Sequence, residues 1–519
     1  ADPNRQANRD RPRGVEQRGR LWLIAGIMLV VIALVSNAPG LDTTLLLSVD
    51  EDGQAPWGAA RTVDPLASDP HSSTALTQAD WLDPLGLGLL GVRLVGLSSL
   101  AVLAWALGSL PRWRDPEAAW SPWLASIVLL HPGMLFAVGR GYSEPLGALL
   151  CGVMLLTPFH PALFRRIRPE TPGESAALPA MAAAVCISTA ASAALLALKG
   201  LNPWWSMGWA MLLIGWCNAT GFAPSWSSDG VDRRGYVGRF MLAVMLGLGL
   251  AGVLGVGSVS EARAGWWWWS FLPFAVFDVL GLYLVMGAGL WAFLGREAMD
   301  FNKAGGTLDL FVICGLLVGM LSAYVAALWA VEGQAWGLAW WETMVVLGNN
   351  GRHGMVLLPA AVWLIVHLRG DAPLPTERLH RAFVVLVPLA LLAAAHGQTL
   401  WTDDAAEAAL EHLDEGDDLL LIHDPTLAVH WLYTMHPVLS EQGPDGLVGH
   451  WRAPDAGWET ELLNGTVLPN RGDLSRVAVI VVAPDLDVTL EGWVEAETGG
   501  APWMNGGGTW RVLVAEANP

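Results

Sequence analysis

Four groups of side chains capable of chemistry stand where an otherwise apolar chain gives way to polar residues. The first is "LLLSVDEDGQAPWGAAR", Leu45 to Arg61, in which Asp50, Glu51 and Asp52 follow one another. A carboxylate held beside an apolar surface can act as a general base toward a hydroxyl, and Asp50 with Asp52 can hold a hard divalent cation such as Mg or Mn. A solvated loop tip is the plainer reading of the same triplet. The second group is "HPGMLFAVGRGYSEPLGALL", where Arg140, Tyr142 and Glu144 interrupt an apolar run. Either an Arg–Glu pair closing a hairpin or the polar lining of a cavity accounts for it. The third is "NNGRHGMVLLPAAVWLIV", in which Arg352 and His353 open another apolar run. A guanidinium keeps its charge and grips phosphate through two parallel hydrogen bonds; anchoring at lipid headgroups is the plainer use. The fourth is Arg93, inside the apolar segment 84–110, within reach of Glu144 or of a loop acid. Together these are the groups that a reaction at a lipid phosphate needs. An arginine holds the departing phosphate and an acid takes the proton of the attacking hydroxyl.

The elements that must position them are membrane helices. Charged residues make up 15% of the 519, against about 25% in a soluble protein, and apolar runs long enough to span a bilayer recur. Eleven spans are expected. The first lies in "LWLIAGIMLVVIALVSNA", and the rest near 84–110, 119–138, 143–160, 177–198, 203–223, 237–257, 268–295, 307–331, 353–369 and 380–399. Many of the 29 Trp flank these runs, where the ring is apolar and its N–H reaches a wet partner. Residues 1–20, with six Arg and three acids, read as a basic cytoplasmic N-terminus. The run after them is long for a signal peptide and is expected to be a retained span. With the N-terminus inside, the cytoplasmic segments carry 19 basic residues and the opposite loops 5, the asymmetry that orients membrane proteins. The loop 39–83 and the tail then lie outside, on the same face as Arg140, Glu144 and Arg352. A second outer segment, about 332–352, reads as an interfacial or re-entrant helix.

The tail, 401–519, holds 21 acids and 4 Arg, most of the chain's net charge of −19. Such a surface repels phosphates and argues against nucleic acid as a partner. "DDLLLIHD" and "RVAVIVVAPD" read as apolar, β-branched strands ending in acids, "TLAVHWLYTM" has helical spacing, and "GGGTWRVLVAEA" reads as an edge strand. A small acidic α/β domain results, with no phosphate-binding loop or nucleophile elbow. The four cysteines all lie in apolar runs, as small hydrophobes without metal-ligand spacing.

In their order and residues these motifs resemble the GT-C superfamily of glycosyltransferases, especially the dolichyl-phosphate-mannose protein mannosyltransferase group, family 39-like. Asp50-Glu51 stand where that group has an Asp-Glu pair after its first span. "HPGMLFAVGRGYSEPLGALLCGVMLL" is similar to its acid-bearing hairpin, and "GRHGMVLLPAAVWLI" to its late Arg…Leu-Leu-Pro span. The resemblance implies a polytopic helical domain at 21–400, including the external loop 39–83, followed by an extracytoplasmic α/β domain at 401–519. It implies transfer of a sugar, mannose-like, from a polyprenyl- or dolichyl-phosphate carrier to a glycan, lipid or protein acceptor outside the cell membrane. Asp50 is the implied base, with Glu51 beside it. Arg352, and with it Arg140, Tyr142, Glu144 and His353, would face the carrier phosphate. Asp52 and a glycine follow the pair where the group has an aromatic residue, so the choice among the three acids stays open, as does a metal at Asp50 and Asp52. The other reading of the layout is a transporter or lipid flippase without bond chemistry; it expects internal repeats and charged or broken helices near the membrane midplane.

Overall fold

The computed structural model describes residues 3–37, 39–40, 43, 81–167, 178–199, 201–222, 233–252, 265–294, 307–335, 339–346, 348–369, 372–395, 400–423, 435, 438–439, 442–444, 447–454, 457–465, 473–501 and 507–516. Asp50, Glu51 and Asp52 lie outside them, as does most of "TLAVHWLYTM". The chain divides into two units: Ala1–Ser36 with Arg93–His396, and Asn37–Val92 with Gly397–Pro519.

The first unit is helical. Among the described residues, seven helices of the chain are long and apolar enough to cross a membrane, eight if one bent pair counts as a single span. Of the other expected spans, Ser206–Phe222 has only 17 residues, while Arg233–Ala251 and Thr376–Ala394 begin on charged turns. Large apolar side chains cover the outward faces. On the Pro3–Ser36 helix Leu21, Ile24, Met28 and Val35 are exposed, while Leu29, Val30 and Ala33 enter the core. Lipid is the solvent that tolerates such faces, and the chain is an integral membrane protein.

The expected span 119–138 is broken. Helices Pro122–Leu129 and Pro132–Arg140 meet at 57°. Pro132 has no N–H to continue the first helix, and His131 starts the second by accepting from the N–H groups of Gly133 and Met134 at 3.1 and 3.4 Å. With Nδ1 so used, its Nε2 carries the hydrogen and donates to the Tyr283 carbonyl at 2.8 Å. That bond ties the break to a distant helix.

Helices Arg233–Ala251 and Thr307–Ala335 pack backbone to backbone through glycine. A Cβ on Gly319 would run into the Val244 carbonyl, and one on Gly247 into that of Leu316. Gly315 and Gly319 form the small-xxx-small spacing that permits so close an approach. Gly319→Ala is therefore expected to cost about 1–3 kcal/mol through overpacking, read as a lower Tm of the detergent-solubilised protein. Gly249→Ala meets open space and should leave Tm unchanged or raise it.

The second unit carries a five-stranded sheet in the order β2-β1-β3-β5-β4, with β1 Asp418–Ile422, β2 Gly449–Arg452, β3 Val477–Val482, β4 Trp493–Gly500 and β5 Thr509–Ala515. The expected strands "DDLLLIHD" and "RVAVIVVAPD" are β1 and β3. They pair in parallel, Leu420 beside Ile480, and are buried, as parallel strands covered on both faces must be. "GGGTWRVLVAEA" is not the edge. β5 lies between β3 and β4, pairing antiparallel with both, and its hairpin partner β4, Trp493–Gly500, takes the outer place. Its exposed residues, Glu495 and Glu497 among them, blunt that edge with charge. Arg452, at the end of β2, pairs with Glu461 at 3.0 Å, both nearly inaccessible.

Helix Trp401–Leu410 buries part of Asp403, and burial pushes its carboxyl up to about 6, aided by Asp404 and Glu407 and opposed by the Leu400 N–H. A carboxyl raised in the folded state favours folding below its unfolded value, about 3.9, and that contribution is lost as pH rises through 6. Asp403→Asn is thus expected to stabilise the protein by about 1–2 kcal/mol at pH 7.5 and by nothing at pH 4. Tm measured at both pH values checks it.

Candidate active site

Glu144, Arg352 and His353 come from segments more than 200 residues apart and meet in the interior of the first unit. Each is placed by an irregularity in its backbone. Helix Pro132–Arg140 ends at Gly141, whose φ of +79° suits glycine alone, and Glu144 opens the next helix, Glu144–Leu156, after only two more residues. The turn is no solvated tip: Arg140, Ser143 and Glu144 are buried. Ser143 stands at the N-cap position without capping. Its Oγ instead accepts from Lys199 Nζ at 2.9 Å, just beyond the Leu178–Leu198 helix.

Arg352 and His353 lie on a 3-10 helix, Gly348–Leu357, which runs into the Leu358–Leu368 helix. Ten residues of 3-10 geometry are unusual, and glycine explains how they are kept. With three residues per turn, Gly351 and Gly354 share a face. A Cβ on Gly351 would strike the Asp278 carboxylate, and one on Gly354 would sit 2.6 Å from Val279. The face lies flat on the π-helical segment Phe277–Met286, while Arg352 and His353 reach toward Glu144.

Arg352 Nε donates to Glu144 Oε1 at 3.1 Å, and Nη1 to the Asn350 side chain at 3.1 Å and the Asn349 carbonyl at 3.3 Å. Its guanidinium carbon stands 4.6 Å from the Tyr142 ring centre. His353 Nδ1 is 3.6 Å from the same Glu144 oxygen, and its ring meets Tyr324 edge to face. Lys199 is close enough to act on Glu144 electrostatically, and Arg140 on Arg352. Arg140 also stacks on Phe136 at 4.6 Å. Tyr283 donates to the Asn349 carbonyl at 3.3 Å. Arg93 Nη2 donates to the Gly139 carbonyl at 3.0 Å.

Four of the residues singled out in sequence, Tyr142, Glu144, Arg352 and His353, are thus in contact, with Arg140 beside them. Glu144 pairs with Arg352 rather than with its near neighbour Arg140, since Arg140 ends one helix and Glu144 begins another. Asp50, Glu51 and Asp52 lie outside the described residues. Among the described residues no three His, Cys, Asp or Glu side chains are grouped to hold a metal ion. Sequence reasoning missed Asp278, Tyr283, Asn350 and Lys199. Asp278 is the lone acid in the apolar stretch 271–294 and Lys199 one of only two lysines; a charge in a span is itself a functional signal.

A guanidinium locked by Glu144, Asn350 and Tyr142 is preorganised to meet an anion at low entropic cost. Lys199 and Arg140 add positive charge nearby, where a low dielectric strengthens it.

No protein-family model matches the sequence, and no curated protein matches it. Two solved structures of ArnT from Cupriavidus metallidurans are similar, one in the apo state and one bound to undecaprenyl phosphate. Identity is 13% in both, TM-scores are 0.35 and 0.36, and the match covers 96% of this chain and 98% of that one.

Proposed function

We propose that the chain is a glycosyltransferase that moves a sugar, mannose or one like it, from a polyprenyl-phosphate carrier to a glycan, lipid or protein acceptor. The site would face the extracytoplasmic side, with the N-terminus in the cytoplasm and the domain at 401–519 outside. The observation that supports this most is the buried Arg352–Glu144 pair, 3.1 Å apart and flanked by Lys199, His353 and Arg140. Guanidinium and ammonium groups gathered in an apolar unit suit a lipid-borne phosphate.

In the reaction, the acceptor oxygen attacks the anomeric carbon as the bond from that carbon to the phosphate oxygen breaks. The electron pair leaves with the phosphate, where Arg352 and Arg140 stabilise it, and the hydroxyl proton passes to Asp50. The anomeric centre inverts. Asp50 and Asp52 would be the pair to hold Mg or Mn where the reaction uses one.

A second reading, movement of a lipid or solute without bond chemistry, draws on the broken span at His131–Pro132 and on Asp278, midway along Trp268–Met286. One experiment separates the two. Purified protein in vesicles is given radiolabelled polyprenyl-phosphate mannose and candidate acceptors. Label leaving the carrier supports the enzyme; label that crosses the membrane while still on its carrier supports the transporter.

A further inference from the structure

The cluster contains a carboxylate that the proposed reaction leaves without a role. Asp278 is 4% exposed, on the π-helical segment Phe277–Met286. Long π-helical runs are rare and concentrate at functional sites. The carboxylate lies over the backbone of Gly351, next to Arg352, and acts electrostatically on Tyr283, as do Glu144 and Arg352. Asp278 Oδ2 is fully buried and, although the Gly351 N–H lies near enough to act on the carboxylate, no well-formed hydrogen bond reaches it among the described residues. Glu144 Oε2, the oxygen that Arg352 does not hold, is in the same condition.

Two buried carboxylate oxygens that no well-formed hydrogen bond satisfies among the described residues, one against Gly351 and the other on the partner of Arg352, need an explanation, because desolvation without a partner is costly. Packing alone does not supply one. The glycines at 351 and 354 bring the 3-10 helix close to Asp278 and Val279, and an apolar residue at 278 would fill that space at no electrostatic cost. A ligand rich in hydroxyl donors does supply one. Carboxylates accept from sugar hydroxyls.

We propose that Asp278 is a sugar-binding residue, its Oδ2 accepting a hydroxyl of the glycosyl group whose phosphate Arg352 holds. The assignment rests on the glycosyltransferase reading above. Asp278 would then govern which sugar is accepted, whereas Arg352 governs attachment of the carrier whatever it bears. A site built to accept from a hydroxyl also rejects the analogue that lacks it.

Binding of two probes to the full-length protein in nanodiscs tests this: polyprenyl phosphate without sugar, and polyprenyl-phosphate mannose. Asp278→Asn, which keeps the shape but exchanges an acceptor for a donor, is expected to weaken the mannosylated carrier about 10- to 100-fold. The bare carrier should bind within twofold of wild type. Asp278→Ala should show the same split, and an unchanged Tm in either variant shows that the fold is retained. An equal loss for both probes would mean that Asp278 merely positions the Gly351–Arg352 turn, and no loss for either would leave it without a ligand; both results overturn the proposal. If wild type binds the bare and the mannosylated carrier with equal affinity, the sugar contact is absent and the proposal fails while the carrier reading stands. If wild type binds neither, the glycosyltransferase reading falls and takes the assignment with it.

Discussion

Arg352→Ala is expected to abolish sugar transfer and to destabilise the protein at once. Loss of a preorganised charge on the leaving phosphate costs about 10²- to 10³-fold in turnover. The structural effect has a separate origin. Glu144 is buried, and its Oε1 accepts from Arg352 Nε at 3.1 Å. Removing one partner of such a pair leaves a desolvated charge and costs about 3–5 kcal/mol. The two effects can be told apart because replacing both partners with apolar groups removes the orphaned charge. Arg352→Met combined with Glu144→Leu should recover most of the lost Tm and none of the activity. Arg352→Lys should keep the charge but not the fork that reaches Glu144 and Asn350 together, and should show intermediate stability with transfer still reduced at least tenfold. Activity that survives in Arg352→Ala would remove this residue from the phosphate site.

Asp50→Asn carries the second large effect. With Asp50 as the base, the variant should bind polyprenyl-phosphate mannose like wild type and lose about 10²- to 10⁴-fold in turnover. Asp50→Ala should behave alike, since the proton acceptor is missing from both. Glu51→Gln and Asp52→Asn separate the neighbours. If Glu51→Gln shows the larger loss, the base lies one position on. A loss in Asp52→Asn that added Mg or Mn reverses would assign Asp52, with Asp50, to a cation. Undiminished turnover in all three would place the base elsewhere, and Glu144 would be the next carboxylate to test.

Much of the site was legible because membrane chemistry makes polar residues conspicuous. Arg140, Tyr142, Glu144, Arg352 and His353 interrupt apolar runs, and each such residue needs a partner or a purpose. Asp278 obeyed the same rule and escaped notice because it stands singly inside a span, without polar neighbours to mark it. Lys199 follows its helix like any interfacial lysine; its bond to Ser143 and its nearness to Glu144 set it apart. In the second unit, the continuous apolar runs of β1 and β3 announced strands, and only the sheet showed that they pair in parallel. The place of β5 could not be read in that way, since the order of strands is set by pairing across the sheet rather than by any local pattern.

The amino-acid sequence by itself determined that the chain lies in a membrane, that an acidic α/β unit follows its spans, and which residue types could serve a phosphate. These follow from composition, run length and charge, which are local properties. Only the tertiary structure decided that Glu144 pairs with Arg352 and not with Arg140, that the span at His131–Pro132 is bent, and that Asp278 lies against Gly351. The reason is geometric. A hydrogen bond reaches about 3 Å, so its partners are set by where helix ends fall and by how closely two backbones approach. At this site Gly141, Gly351 and Gly354 set that approach, and their effect appears only once the helices are packed.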